Sequence, residues 1–280
     1  KKSKEEEEEA ERQVGELSDL AKTLLKGSFG EFVPLLKNQN ISEDQISRII
    51  VGVLKEFQLH HAGVFEWIWQ TEKEENPQTR PSPVGLFTPP SDLPSEDAKN
   101  EEIMKKPGHS VYWLEILVPS AKKLVGGLVE MEFAHRNQNM KDFIYKNELN
   151  IKFLDNVTDA GVSFGYVGQT SSSISPGGRF SQHVNGKSGA RLVEAVIKVY
   201  RELSKDDFRF YVIMSEVILQ ALADETGLDL KVVTNVAEII SINILRTANI
   251  YSCMGLNVEY GNRFGGANYD AAGAGRANLQ

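Results

Sequence analysis

The sequence predicts an α+β fold: a small antiparallel sheet flanked by helices and preceded by a helical N-terminal region. Helical periodicity dominates the first 70 residues, where leucines recur over 14–26 and Ser42 begins a capping box followed by an amphipathic segment. Short runs rich in β-branched and aromatic residues begin only at position 111. From position 149 onward, strand-like and helical runs alternate, which is typical of helices packed on a small sheet.

The N-terminal region, residues 1–70, contains two helical patterns. Leu17, Leu20 and Leu24 recur at helical spacing, and Gly27 is a natural end to that segment. The capping box at Ser42 precedes a second segment, and its apolar face consists of Ile46, Ile49, Ile50, Val53, Leu54 and Phe57. Because these helices have few residues to bury by themselves, we expect them to pack on the rest of the chain or on a protein partner.

A proline-rich stretch over 71–108 predicts a linker between this acidic helical region and a second domain, 109–280. Six of the ten prolines lie within 77–94. Proline at this density removes backbone donors and blocks helix, so an extended, mobile segment is expected. A loop of this length is unusual inside a compact domain and favours a boundary.

The second domain contains the strand-like runs. In chain order we expect a strand at 111–118 ended by Pro119, a helical stretch at 120–148, a hairpin of 149–154 and 162–167 around the polar turn 155–161, a helix at 190–203, a strand at 208–214 and a buried helix at 235–247. The segment 218–231 looks like an insertion before the last helix.

The composition is that of a globular protein, with 41% hydrophobic and 25% charged residues. No segment approaches the roughly 18–20 apolar residues of a membrane span, so we expect no membrane contact. The single cysteine, Cys253, excludes a disulfide framework and a thiolate metal cage. The chain begins at Lys1 rather than methionine, so we expect it to be part of a longer protein. We expect an intracellular location, in the nucleus or the cytosol.

Charge is distributed unevenly along the chain. The formal net charge is −8, and most of the acidic excess lies in the N-terminal half, where residues 5–9 are consecutive glutamates. The nearly neutral C-terminal half leaves a polyanionic partner open, because Lys and Arg supply most of the affinity for phosphates. The acidic helices instead favour a protein-interaction scaffold as one alternative function.

One constellation suits an anionic ligand. Tyr166 ends a strand-like run, Gly168 allows close backbone approach, and Arg179 precedes His183 by four residues, which places both on one face of a helix. On these residues alone the signal is weak, because a tyrosine in a strand is more often a core aromatic and an Arg/His pair is more often a solvated face.

Four motifs in this region resemble those of the GIY-YIG nuclease family. Residues 166–170, Tyr-Val-Gly-Gln-Thr, resemble the second half of its signature, and Arg179 with His183 is similar to the helix that faces the scissile phosphate. Glu238 looks like the family's buried metal-binding glutamate, and Asn257 looks like the asparagine of its terminal Gly-x-Asn segment. The resemblance covers about 149–266, which we take as the core of the domain.

The resemblance implies a metal-dependent endonuclease that hydrolyses phosphodiester bonds in DNA, with RNA as the other candidate substrate. It implies that Tyr166 activates water, that Arg179 and His183 bind the phosphate, and that Glu238 holds Mg²⁺ or Mn²⁺. The residues implied to bind substrate are Gly168, Gln169, Arg179 and Asn257.

Several positions depart from the family pattern. The first signature strand is best matched at 151–153, where Phe153 would replace the first tyrosine, and Gln169 stands where some members have lysine. These departures, with the balanced charge of this half, favour the alternative of a nucleic-acid-binding module that keeps the fold but has weakened or lost cleavage.

Two of the candidate residues also have ordinary structural interpretations. Asn235 and Glu238 have capping-box spacing, so Glu238 could simply cap the start of a helix. Asn257 lies between two glycine-flanked turns and is equally a plain turn residue.

Overall fold

The structure is a computed structural model that describes residues 4–27, 40–72, 83, 85–87, 102–130, 162–247 and 255–257. Its helices are α1 (Lys4–Lys26), α2 (Glu43–His60), α3 (Ala62–Glu72), α4 (Ala121–Glu130), α5 (Pro176–Val184), α6 (Arg191–Val199), α7 (Glu216–Thr226) and α8 (Leu230–Ile244). Its strands are β1 (Ser110–Val118), β2 (Val162–Thr170) and β3 (Phe208–Met214). Within these ranges, no helix is both long and apolar enough to cross a membrane.

The three strands form one antiparallel sheet in the order β2-β1-β3. The expected α+β class, a small antiparallel sheet with several helices, is therefore confirmed. β1 is the central strand, because β2 pairs with one of its edges and β3 with the other. All of its residues except Leu117 are buried, so both of its faces are covered as well.

The pairing of β2 differs from the expected hairpin. Over its whole length β2 pairs with β1, from Ser110 opposite Thr170 to Val118 opposite Val162. The expected first hairpin strand at 149–154 and its turn at 155–161 lie outside the described residues. Sequence proximity favoured a partner for β2 immediately before it, whereas the described partner is the apolar strand that precedes residues 119–161.

Alternation along β1 gives the sheet two buried faces. Val111 and Trp113 point to one face, which packs against α2, α7 and α8. Tyr112, Leu114 and Ile116 point to the opposite face, which packs against α5 and α6. The same alternation along β2 places Tyr166 on the face of Tyr112 and Gln169 on the opposite face.

The N-terminal helices share an apolar core with the sheet. The predicted capping box of α2 is confirmed: Ser42 Oγ accepts from Gln45 N at 3.2 Å, and Gln45 Oε1 accepts from Ser42 N at 2.8 Å. The predicted apolar face of α2 is fully buried, and α2 packs on α1, α7, α8 and β3. The stretch 71–108 therefore connects two parts of one core.

Part of that stretch is anchored on the sheet rather than extended and mobile as expected. Phe87 is buried and stacks on Trp113 at 4.7 Å and on Tyr211 at 5.3 Å between ring centroids. The backbone N–H of Gly85 donates to the buried carboxylate of Glu115 at 3.1 Å. Burial of this aromatic ring against the sheet is favourable, and it offsets the conformational entropy lost when the residues around it become ordered.

Candidate active site

Two tyrosines meet across the pair of strands β1 and β2. Tyr112 lies opposite Gly168 in the register, and Tyr166, two residues before Gly168, points to the same face of the sheet. A Cβ atom at Gly168 would lie 2.3 Å from the Tyr112 hydroxyl oxygen and 2.8 Å from Cε1 of Tyr166. Glycine at position 168 is therefore what allows the two rings to converge.

The Tyr112 hydroxyl is the centre of a buried hydrogen-bond network. It accepts from Nε of Arg179 at 3.3 Å and shares a hydrogen bond with Nε2 of His183 at 2.8 Å. Arg179 and His183 reach it from one face of α5, as their spacing of four predicts. Ser175 caps α5 by accepting from the N–H of Gly178 at 3.1 Å, which fixes where that helix begins.

His183 lies behind Tyr112 and is fully buried. Burial, with a smaller contribution from the nearby charge of Arg179, lowers the pKa of His183 to about 3, so the ring is neutral at physiological pH. Within the described part of the chain, its Nδ1 atom has no hydrogen-bond partner. The imidazole packs edge-on against the rings of Tyr112 and Tyr166, at 5.7 and 5.3 Å between ring centroids.

Both tyrosines are held in the protonated state. Burial raises the pKa of Tyr166 well above its ordinary value, and the neighbouring Tyr112 and Glu238 raise it further. Burial likewise raises the pKa of Tyr112, although the Arg179 guanidinium opposes this shift. The Arg179 guanidinium favours the ionised form of both tyrosines, and burial outweighs it.

A second cluster lies on the opposite face of the sheet, where α8 packs on β2. The side chain of Gln169 points to this face, and its Nε2 donates to Oε2 of Glu238 at 2.8 Å and to Oδ1 of Asn235 at 2.8 Å. Asn235 and Glu238 lie one turn apart on α8, so both reach the same amide group. Glu238 is 6% exposed.

The structure overturns the capping interpretation of Glu238. α8 begins at Leu230, with Asp229 as its N-cap, and Asp229 accepts from the N–H of Lys231 at 2.8 Å. Glu238 is therefore more than two turns inside the helix, too far from the free N-terminal N–H groups to cap them. The expected insertion at 218–231 consists mainly of α7 and the start of α8.

The charge of Glu238, in the second cluster, affects the pKa values of groups in the first cluster. The Glu238 charge contributes to raising the pKa values of Tyr112, Tyr166 and Arg179. Burial disfavours the charged guanidinium of Arg179, but Tyr112, Tyr166 and Glu238 together outweigh it and raise its pKa.

Asn257 forms hydrogen bonds with the edge of β2 that faces away from β1. Its Oδ1 accepts from the N–H of Val167 at 2.9 Å, and its Nδ2 donates to the carbonyl of Val167 at 2.7 Å. Leu256 N–H donates to the carbonyl of Gly165 at 2.8 Å. These bonds fix the backbone on both sides of Tyr166, so Asn257 acts on the site through β2 rather than as a simple turn residue.

The donor set suits a hard divalent cation. Among the residues that the structure describes, no three His, Cys, Asp or Glu side chains form a cluster. Glu238 and Asn235 supply carboxylate and amide oxygens, and Mg²⁺ characteristically takes one or two carboxylates and keeps several waters. Carboxylate and amide oxygens are the ligands that hard divalent cations prefer, so the chemistry of this donor set fits Mg²⁺ or Mn²⁺ at Glu238.

Sequence reasoning missed Tyr112. The signal that could have found it is the tyrosine within the apolar strand pattern at 111–118. The partner of β2 was expected next to it in sequence, at 151–153, whereas the described partner is β1. Phe153 lies outside the described residues, and the position facing Gly168 holds a tyrosine.

No protein-family model, curated protein or solved structure matched this chain.

Proposed function

We propose that this protein is a metal-dependent endonuclease that hydrolyses phosphodiester bonds in DNA, with a GIY-YIG-like active site. The observation that carries the proposal is the network on one face of β2 in which Arg179 and His183 both bind the Tyr112 hydroxyl, with the buried carboxylate of Glu238 on the other face of the strand. Phosphodiester hydrolysis requires a positioned water, positive charge at the phosphate and help for the leaving oxygen.

Arg179 is the residue that we assign to the phosphate. Its Nε and Nη1 groups already bind Tyr112 and Gln182, at 3.3 and 3.0 Å, which holds the guanidinium in a fixed orientation. The remaining Nη2 group is the one that we assign to a phosphate oxygen. Tyr112 and His183 act as the support that maintains this orientation.

Tyr166 is assigned to the attacking water. Because its pKa is raised, its proton stays on the hydroxyl at neutral pH, so it orients the water rather than deprotonating it. A divalent ion held by Glu238 would supply the Lewis-acid stabilisation of the phosphate. Gly168 and Asn257 position Tyr166 through the backbone of β2.

The test is cleavage of supercoiled plasmid with and without Mg²⁺ or Mn²⁺ by the wild type and by Glu238→Gln. The substitution keeps the shape of the side chain and removes the charge that attracts a cation. We expect cleavage to fall by several orders of magnitude, while stability without metal is unchanged or improved because a buried charge is removed. Glu225→Gln is the matched control, since Glu225 is exposed and forms a surface pair with Arg48 at 3.5 Å.

The proposal fails if the wild type does not cleave in the presence of either ion, or if Glu238→Gln cleaves as fast as the wild type. Linear oligonucleotides of DNA and RNA, assayed in parallel, identify the nucleic acid that is cleaved.

A nucleic-acid-binding module without cleavage is the second candidate, and the raised pKa values of both tyrosines favour it. It predicts binding without cleavage, and a lower salt dependence of binding in Arg179→Ala by about one phosphate contact. A scaffold role of the N-terminal helices would have to use their charged faces, because the apolar side of α2 is in the core.

A further inference from the structure

A cleft of about 470 Å³ lies at the end of the sheet where β1 begins and β2 ends. One wall is the outward side of α7, and the other consists of residues from 103–110 together with the first residue of α5. Its lining includes both charged and apolar side chains, with Lys106 and Glu216 among the former and Ile103, Pro176, Val217 and Ala221 among the latter. We propose that this cleft binds a guanine base of the nucleic acid beside the phosphodiester at Arg179, which rests on the proposed function and adds a base specificity to it.

The cleft is close enough to the candidate active site to take a neighbouring nucleotide. Ser110, which lines the cleft, precedes Tyr112 by two residues of β1, or roughly 7 Å along the strand. Pro176 precedes Arg179 by three residues of α5, or roughly 4.5 Å along the helix axis. Successive phosphates of one strand are about 3.4 Å apart along a duplex, so both distances correspond to one or two nucleotide steps.

The wall of the cleft at 108–110 is held by hydrogen bonds to the end of β2. The Ser110 hydroxyl shares a hydrogen bond with the Thr170 hydroxyl at 2.8 Å, and the Thr170 hydroxyl also donates to the carbonyl of Gly108. The Glu216 carboxylate lies against Gly108 and fills the space that a Cβ atom at this position would need. A wall that is already ordered lowers the conformational entropy lost when a ligand binds.

The cleft contains two opposite charges that are not paired with each other. Within the part of the chain that the structure describes, neither the Lys106 ammonium nor the Glu216 carboxylate takes part in an ion pair or a side-chain hydrogen bond. Asp224 also lines the cleft, but its carboxylate already accepts from Nε2 of Gln220 at 2.8 Å. Glu216 is therefore the acceptor that we assign to a ligand, and Lys106 is the donor.

Guanine is the base whose edges match this pair of charges. Its N1–H and N2 amino group are adjacent donors that one carboxylate can accept together, whereas each other base offers a carboxylate only one donor group. Its O6 and N7 atoms are acceptors that suit an ammonium group. Val217 lines the cleft and is 76% exposed, so a base that enters the cleft also gains apolar contact for its ring.

The same lining disfavours a phosphate group in the cleft. Among the described lining residues, Glu216 and Asp224 carry two negative charges against the positive charge of Lys106. A phosphodiester would be repelled by this excess, whereas a base is neutral. We therefore assign the phosphate to Arg179 and only the base to the cleft, with the base turned out of its stack.

The experiment measures binding of fluorescein-labelled, single-stranded oligothymidine to the full chain by fluorescence anisotropy, in EDTA so that no metal-dependent cleavage occurs. Matched strands carry one central guanine, hypoxanthine, which lacks the N2 amino group, or 7-deazaguanine, which lacks the N7 acceptor. Competition by deoxyguanosine monophosphate tests a free nucleotide as the ligand.

The variants change the two charges and the space of the cleft. Glu216→Ala removes the carboxylate, and Lys106→Met removes the ammonium group. Ala221→Trp fills the cleft from an exposed position of α7, so folding should be retained. The matched control is Glu225→Gln, because Glu225 lies on the same helix and pairs with Arg48 at 3.5 Å.

We expect the wild type to bind the guanine strand about 10-fold or more tightly than oligothymidine, within the range of one bidentate base contact. The hypoxanthine and 7-deazaguanine strands should each lose part of this preference. Glu216→Ala and Ala221→Trp should bind all strands alike with little change in Tm, Lys106→Met should no longer distinguish guanine from 7-deazaguanine, and Glu225→Gln should behave as the wild type.

The inference is overturned if the wild type shows no preference for the guanine strand, or if the preference persists in both Glu216→Ala and Ala221→Trp. Binding of deoxyguanosine monophosphate as tight as that of the guanine strand would assign the cleft to a free nucleotide and overturn its role toward the nucleic acid. Plasmid cleavage by a wild type without guanine preference leaves the proposed function standing while this inference fails. A guanine preference that depends on Glu216, without cleavage in Mg²⁺ or Mn²⁺, keeps the base site and overturns the endonuclease.

Discussion

Gly168→Ala tests whether the convergence of the two tyrosines depends on the absence of a side chain at position 168. The added Cβ would lie 2.3 Å from the Tyr112 hydroxyl oxygen, where ordinary contact begins at 3.4 Å. The backbone of β2 is fixed by its pairing with β1 and by Asn257, so the rings of Tyr112 and Tyr166 are the parts that must yield, that of Tyr112 by about 1 Å.

A displacement of about 1 Å is enough to break the 2.8 Å hydrogen bond to His183 and the longer one to Arg179. Overpacking costs about 1–3 kcal/mol, and leaving the buried His183 without its partner adds roughly 1–3 kcal/mol. We therefore expect a loss of roughly 2–6 kcal/mol. At about 2–4 °C per kcal/mol for a chain of this size class, Tm should fall by at least about 4 °C.

The assay is chemical and thermal denaturation, with plasmid cleavage measured on the same preparations. The control is Gly15→Ala in α1, where a Cβ meets nothing within 4 Å, so stability should rise by up to about 1 kcal/mol. Tyr112→Phe should cost less in the Gly168→Ala background than in the wild type, since the bonds of Tyr112 are already lost. A Gly168→Ala protein with wild-type Tm and cleavage would refute the reasoning.

Three further predictions concern the surroundings of the site. Tyr112→Phe should lower stability by about 1–3 kcal/mol in urea denaturation, because the buried His183 loses its partner, and should reduce cleavage by freeing Arg179. Burial, and then the charge of His60, lowers the pKa of His61 to about 4, and the pKa of His183 is lowered to about 3. Below pH 6.5 the unfolded chain therefore binds more protons than the folded chain. Stability should therefore be full at neutral pH and fall by up to about 1.4 kcal/mol per pH unit per histidine as pH drops from 6.5 toward 4, and His61→Phe should flatten that slope. Phe87→Ala removes the ring that stacks on Trp113, so it should lower stability by about 3–5 kcal/mol. It should also speed limited proteolysis within 77–94. An unchanged rate of proteolysis there would contradict the anchoring role.

Local patterns in the sequence were sufficient to predict many of the elements. The capping box at Ser42 depends only on residues that are three positions apart. The three described strands were predicted from runs of β-branched and aromatic residues. The spacing of Arg179 and His183 likewise predicted their shared face on α5, because the helical repeat fixes which residues are neighbours.

The start of α8 shows where local patterns mislead. Asn235 and Glu238 have the spacing of a capping box, and so does any polar pair three residues apart inside a helix. Asp229 proved to be the true N-cap, since a side chain caps only where the preceding backbone is extended. Only the position of the whole helix distinguishes the two cases.

What the sequence determined by itself was the set of chemical groups, Tyr166, Arg179 and Glu238, and the elements that carry them. What only the tertiary structure decided was which strand pairs with β2, and with that choice Tyr112 became part of the site. The physical reason is that strand pairing joins residues far apart in the chain: nothing within reach of β2 in sequence specifies its partner. The partner is selected by the burial of β1 on both faces and by the space that Gly168 leaves for a tyrosine ring.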